Sequence, residues 1–222
     1  MPAGGGGGAF VNVLWAHGAR GKTTAFGVSG QAVEAMGGRS EKSYETEATL
    51  VISSEAPEAV ASEIASLTSL AGFDLLRAPP EDIRDISFDT PGRELQAHGL
   101  ALRIRTSNSR RLITLKGPPE SAGKGVVRRL EIEAPWSRDA LDDIQRELAL
   151  RGIFIDCGTE VTVDADPLAA MTGLGFGEVQ DRETRRLVRN VVPAGRGDRQ
   201  VVAELAIDHV TYYLGVHDLR HF

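Results

Sequence analysis

Residues 100–133 read LALRIRTSNSRRLITLKGPPESAGKGVVRRLEIE. Successive side chains of a β-strand point to opposite faces, so residues two apart share a side. Arg103 and Arg105 then share one face, with Leu102 and Ile104 behind them. Lys116 shows its ammonium to one side of the run Arg111–Lys116 and leaves Ile113 and Leu115 on the other. Arg129, Glu131 and Glu133 share a face, with Leu130 and Ile132 opposite. The pattern predicts strands over Leu100–Arg105, Arg111–Lys116 and Val126–Ala134, with Gly117-Pro118-Pro119 closing the middle one.

The same design continues on both sides. Tyr44–Ile52 reads as a strand that puts Glu45, Glu47 and Thr49 together. Val201–Tyr213 puts Glu204, Ala206 and Asp208 on one face and Leu205 and Ile207 on the other. Val179–Val192 is a further strand carrying Arg182 and Arg186, although Arg185 and Arg189 compete for the same register, and a one-residue slip exchanges the faces. Ile83–Phe88 is extended and runs into the turn Asp89-Thr90-Pro91-Gly92, where Asp89 is read as a turn residue. Two helices stand out. Residues 57–71 space Val60, Ile64, Leu67 and Ala71 on one side, and Ser137 caps a helix through Leu150 with Leu141, Ile144 and Leu148 on one face. Many strands and few helices make the class α+β with an antiparallel sheet.

Two geometries account for the ionic faces. They are the wet side of a half-exposed sheet, or the sheet closes and turns them inward around a cavity. Acids and bases are segregated by strand, and two glutamates at i and i+2 lie roughly 7 Å apart and repel when unpaired. The basic faces favour arginine, whose fork suits phosphate oxygens. These features favour the inward geometry.

The composition bounds the reading. The chain has 222 residues, 41% of them apolar, and a formal charge of −6, which argues against a general nucleic-acid binder. Within that acidic total, residues 103–129 hold eight lysines and arginines against the single acid Glu120. The lone cysteine, Cys157, excludes an internal disulfide framework and a cysteine-built zinc site, and fits a reducing, cytoplasmic setting. No run is long and apolar enough to span a bilayer. Residues 1–40 hold 11 of the 25 glycines and are expected to form a flexible Gly-rich tail ahead of a domain over 41–222. Ala16–Thr23 (AHGARGKT) fits a loose phosphate-loop pattern, but the glycines that follow do not make the helix such a loop requires.

Six segments in order resemble the CYTH domain, or triphosphate tunnel metalloenzyme, family. Glu45-Thr46-Glu47 is similar to its opening ExExK strand, and FDTPGRELQAHGLALRIR (Phe88–Arg105) to its Asp-Thr-Pro turn and LRxR strand. LITLKGP (Leu112–Pro118) resembles its lysine strand, RRLEIE (Arg128–Glu133) its RxExE strand, and RETRR (Arg182–Arg186) with ELAID (Glu204–Asp208) its later basic and acidic strands.

The resemblance implies an antiparallel β-barrel, a tunnel of about eight strands with flanking helices. It implies binding of a triphosphate-containing compound with Mg2+ or Mn2+, followed by hydrolysis or by cyclisation of ATP. The implied phosphate-binding residues are Arg103, Arg105, Lys116, Arg129, Arg182 and Arg186, with Lys116 and Arg129 acting in catalysis. The implied metal ligands are Glu45, Glu47, Glu131, Glu133, Glu204 and Asp208. The partner is a small triphosphate, with nucleic acid engaged only through a 5′-triphosphate end, no membrane, and a homodimer left open. Two departures stand out. Thr49 replaces the family's lysine, leaving a non-catalytic binder of polyphosphate or nucleotide as the alternative. The family's last strand, carrying ExE, would begin about where the sequence reaches His221-Phe222. The tunnel is therefore expected to have an open edge, unless a partner chain or the N-terminal segment fills it.

Overall fold

The computed structural model describes residues 7–15, 41–155, 166–195 and 200–213. In chain order the elements are β1 (Gly7–Trp15), β2 (Glu41–Val51), α1 (Pro57–Ser66), β3 (Ser69–Leu70), β4 (Phe73–Arg77), β5 (Glu81–Asp89), α2 (Glu94–Ala97), β6 (Ala101–Ser107), β7 (Arg110–Lys116), β8 (Glu120–Gly123), β9 (Val126–Pro135), α3 (Arg138–Ala149), α4 (Pro167–Gly173), β10 (Gly177–Pro193) and β11 (Ala203–Tyr213). The strands form one antiparallel sheet that runs β11-β1-β2-β9-β7-β6-β5-β10. Because β10 also pairs with β11, the path of paired strands returns to its first member. Among the described residues, each of these eight strands therefore has a partner on both sides. The fold is α+β, as the alternation predicts.

β1 corrects an expectation. Residues 7–15 are not part of a tail but a strand, which pairs Phe10–Trp15 with β2 and Gly7–Trp15 with β11. It lies in the slot between the first ionic strand and the last one described, so no edge is left there. The reason is local: β-branched and aromatic residues in Phe10–Trp15 favour an extended backbone. Val11 is 6% exposed and packs with Ala65, Leu75, Leu205 and Ile207 beneath α1. The phosphate-loop pattern at Ala16–Thr23 and Cys157 lie outside the described residues.

The helices cover the aliphatic side of the sheet. Leu102, Ile104, Ile113, Leu115 and Ile132 pack against Leu141, Ile144 and Leu148 of α3 and Met171 of α4. Ser137 caps α3 by accepting from the Ala140 N–H at 3.2 Å, as its sequence position predicts. The helix expected over 57–71 stops at Ser66. Ala71 and Gly72 both take positive φ (51° and 85°) and turn the tight hairpin from β3 to β4. Two successive left-handed residues are what a two-residue hairpin loop needs. That glycine ends a strand rather than a helix. Asp89 accepts from the N–H groups of Thr90, Leu95 and Gln96 at 2.7–3.1 Å and so organises α2, consistent with its reading as a turn residue.

Candidate functional site: a charged tunnel face

Residues paired across antiparallel strands point to the same face, so the register traces one surface through the ring. Glu45 pairs with Arg129, and Ser43 with Glu131. Glu131 pairs with Lys116, and Glu133 with Thr114. Thr114 pairs with Arg103, and Arg105 with Asp85. Asp85 pairs with Arg182, Arg186 with Asp208, and Asn190 with Glu204. Every ionic residue named from the sequence, Glu45, Glu47, Arg103, Arg105, Lys116, Arg129, Glu131, Glu133, Arg182, Arg186, Glu204 and Asp208, falls on this face. The opposite face carries the helix-packed apolar residues, so the ionic face is the inner one. The competition on β10 is resolved by the same register. Arg185 points outward and is exposed, and Arg189 is buried under α1, donating to the carbonyls of Val188 (2.8 Å) and Ala65.

The two signs of charge take separate walls. Carboxylates lie chiefly on β2, β9 and β11, with Asp85 on β5 as the exception. Cations lie chiefly on β7, β6 and β10, with Arg129 of β9 at the boundary. Several donors reach a carboxylate on a neighbouring or next-nearest strand of the same face. Lys116 donates to Glu45 and lies 3.3 Å from Glu131. Arg129 donates to Glu47, and Thr114 to Glu133 at 3.0 Å. Arg186 grips Asp208 with two bonds of 2.7 and 2.8 Å. Lys116 and Arg129 hold the Glu45 carboxyl below its ordinary value against the opposing effect of burial. Burial, with Glu45 and Glu133 close by, pushes the Glu131 carboxyl up, and burial also raises that of Glu204.

Sequence reasoning missed Asp85. It is 1% exposed and stands on β5 between β6 and β10. Arg105 reaches it through two bonds of 2.8 and 2.9 Å, Arg182 through two of 3.2 and 2.8 Å, and Arg103 approaches to 3.6 Å. Although burial opposes ionisation, these guanidiniums hold its carboxyl well below the usual carboxylate range. The signal was present: Asp85 and Ser87 alternate with Ile86 and Phe88, the design of the other strands, but Ile83 interrupts it.

Arg103 differs from the other arginines. Its nearest carboxylates, Asp85 and Glu131, stand at 3.6 and 3.9 Å, beyond hydrogen-bond range, and its Nε is buried without a partner among the described residues. Burial and the neighbouring Arg105 push this guanidinium down to about 10. By contrast, Arg110, Arg111 and Lys124 are exposed at the ends of hairpins.

The structure thus sets an antiparallel ring of strands around an inner face that carries both cations and carboxylates. The family follows: the CYTH domain model matches residues 44–219, and the chain belongs to that family. The family is associated with triphosphate binding and hydrolysis. Similar solved structures include an adenylate cyclase candidate from Bacillus halodurans (17% identity, 81% of this chain and 83% of that one, TM-score 0.33). Another is a protein of Pyrococcus horikoshii (19%, 80% and 81%, TM-score 0.30). A third is an adenylyl cyclase candidate from Hippeastrum described as having a dominant triphosphatase activity (12%, 94% and 80%, TM-score 0.38). With TM-scores this low, the three add nothing to the family assignment. No curated relative matches the chain. Among the described residues, no helix is long and apolar enough to cross a membrane.

Proposed function

We propose that the tunnel binds a triphosphate-containing compound, inorganic triphosphate or a nucleoside triphosphate, and hydrolyses its terminal phosphoryl group with the help of a divalent cation. Family membership supports the class of ligand. The observation that carries the reading for this chain is Arg103: a buried guanidinium whose Nε has no partner among the described residues and whose carboxylates stand beyond hydrogen-bond range, set among arginines already fixed by carboxylates. Burying a cation without a hydrogen-bond partner is costly, and an oxyanion in the tunnel would relieve that cost. Arg105, Arg182 and Arg186 bind carboxylates through Nε and Nη2, and their Nη1 groups would be the donors offered to a ligand. A chain of linked phosphates needs several such donors, each making a charge-assisted bond.

The acidic wall fits a hard cation such as Mg2+ or Mn2+. Among the described residues, no three Asp, Glu, His or Cys side chains converge on one point. Glu45 and Glu131, however, crowd a single ammonium, that of Lys116, and one of the two is pushed towards its neutral form. Magnesium needs only one or two carboxylates when phosphate oxygens and water complete its shell. Glu45 and Glu131 would supply these, with Glu47, Glu133, Glu204 and Asp208 as further acids on the same face. When bound, such an ion would neutralise charge on the phosphoryl oxygens. Lys116 and Arg129 would stabilise the charge that develops on the transferred group, since positioning and charge stabilisation supply most of the catalysis in phosphoryl transfer.

Thr49 favours a second reading. It stands two residues beyond Glu47, on the same face, and is uncharged. A tunnel without that cation could bind polyphosphate or nucleotide and not turn it over. Phosphate release from tripolyphosphate and from ATP, with Mg2+ or Mn2+, decides between the two. Release supports hydrolysis, and saturable binding without release supports the binder. Cyclic AMP detected by mass spectrometry would instead assign ATP cyclisation.

A further inference from the structure

We propose that Asp85 is a positioning residue that sets the spacing of the phosphate-binding arginines and so makes the tunnel select linked phosphates over a single one. The inference rests on the triphosphate reading above and adds a residue and a specificity to it.

Asp85 is the hub of the basic wall. Its strand lies between the two that carry Arg105 and Arg182, and one carboxylate takes a fork from each. Oδ1 accepts only from Arg105, whereas Oδ2 accepts from both arginines and lies 3.6 Å from Arg103. Three guanidiniums are thus gathered around one buried anion. Without it they would repel one another and spread over their rotamers. With it, the ordering cost of two long side chains is met on folding rather than on binding. At 1% exposure, the groups it meets on the inner face include these three arginines.

Position matters differently for different anions. A lone phosphate can shift to meet whichever arginines it reaches, and mobile arginines can follow it. A chain of linked phosphates has fixed internal spacing and gains most from cations held at matching places. Electrostatics alone predicts the opposite sign, because removing the Asp85 charge makes the wall more positive and should tighten every anion.

The test is calorimetric titration of the full-length protein and its Asp85→Asn and Asp85→Glu variants with tripolyphosphate and with orthophosphate. The role assigned here predicts that Asp85→Asn weakens tripolyphosphate binding tenfold or more, while orthophosphate binds as before or more tightly. Asp85→Glu should recover part of the loss. Parallel changes for both anions, in either direction, overturn the role of Asp85 alone. A wild-type protein that binds no tripolyphosphate overturns the triphosphate reading, and this inference with it. Should Asp85→Asn fail to fold by circular dichroism, Arg105→Lys and Arg182→Lys carry the test. They keep the charge but lose the fork, so the same selective loss is expected, and unchanged selectivity overturns the proposal. Arg84→Ala, which breaks an outward-facing pair with Asp181, is the control and should alter neither titration.

Discussion

Lys116 on β7 donates to the carboxylate of Glu45 on β2, spanning the intervening strand β9. Both side chains are 9% exposed. The bond joins the basic wall to the acidic one, and Glu131 stands beside it at 3.3 Å. A cation suited to phosphate and an anion suited to a metal therefore neutralise each other in the tunnel.

That bond has a stability consequence. Lys116→Met removes the cation and leaves two buried carboxylates, and breaking a buried pair costs about 3–5 kcal/mol. Glu45→Gln added to Lys116→Met should recover a large part of that loss. Urea unfolding of the single and double variants is the check, and additive losses would show that the two side chains do not act as a pair.

Arg103 should behave differently. Its Nε has no hydrogen bond to lose and its ion pairs to Asp85 and Glu131 are long, so Arg103→Leu should cost less thermal stability than Lys116→Met. Binding should suffer as well. A lost charge-assisted bond is worth roughly 1.5–3 kcal/mol, or about ten- to a hundredfold in affinity. Fluorescence anisotropy of a labelled ATP can measure this, with the exposed Arg110→Ala as the neutral comparison.

The pH dependence of stability should carry the signature of Asp85. Its carboxyl is depressed in the folded state by Arg105, Arg103 and Arg182. A depressed acid contributes stability that is fully present above its unfolded value, about 3.9, and is lost as pH falls towards the folded value. Asp85→Asn should therefore destabilise the protein by a constant amount between pH 5 and 8, by about 3 kcal/mol or more. The gap to wild type should narrow only below the ordinary carboxylate range. Denaturant unfolding across that range tests the sign, and a gap that widens in acid would refute it.

β1 should be needed for both stability and binding. Val11→Asp places an unpaired charge among Ala65, Leu75, Leu205 and Ile207, a change that costs several kcal/mol or strips the strand from the sheet. β2 and β11, which carry four of the candidate metal ligands, would then lose their shared neighbour. Thermal unfolding and tripolyphosphate binding should fall together, whereas an unchanged melting temperature would mean that β1 contributes nothing.

How far the fold could be read in advance varies along the chain. Leu102–Arg105 and Arg129–Glu133 announced themselves because period-two alternation of charge and aliphatic is hard to satisfy in a helix. Their common face followed from register once the ring was traced. β1 was hidden because Gly4–Gly8 beside it suggests disorder, and its six apolar-rich residues carry no charge pattern. α1 looked longer than it is because Leu67 and Ala71 keep helical spacing, while the Ala71-Gly72 turn and the pairing of Leu70 with Phe73 pull the chain into a hairpin. Asp85 was overlooked because Ile83, on the same face of β5, breaks the alternation of ionic and aliphatic residues. Only the pairing of β5 with β6 and β10 shows that its partners come from other strands.

The central claim is that the inward ionic face receives a triphosphate. Calorimetric titration of the wild-type protein with tripolyphosphate and Mg2+, beside an Arg103→Ala/Arg105→Ala variant, tests it most directly. Saturable binding near one equivalent, weakened at least a hundredfold in the variant, is the predicted result. No saturable binding by the folded wild type, or equal binding by both proteins, would contradict it.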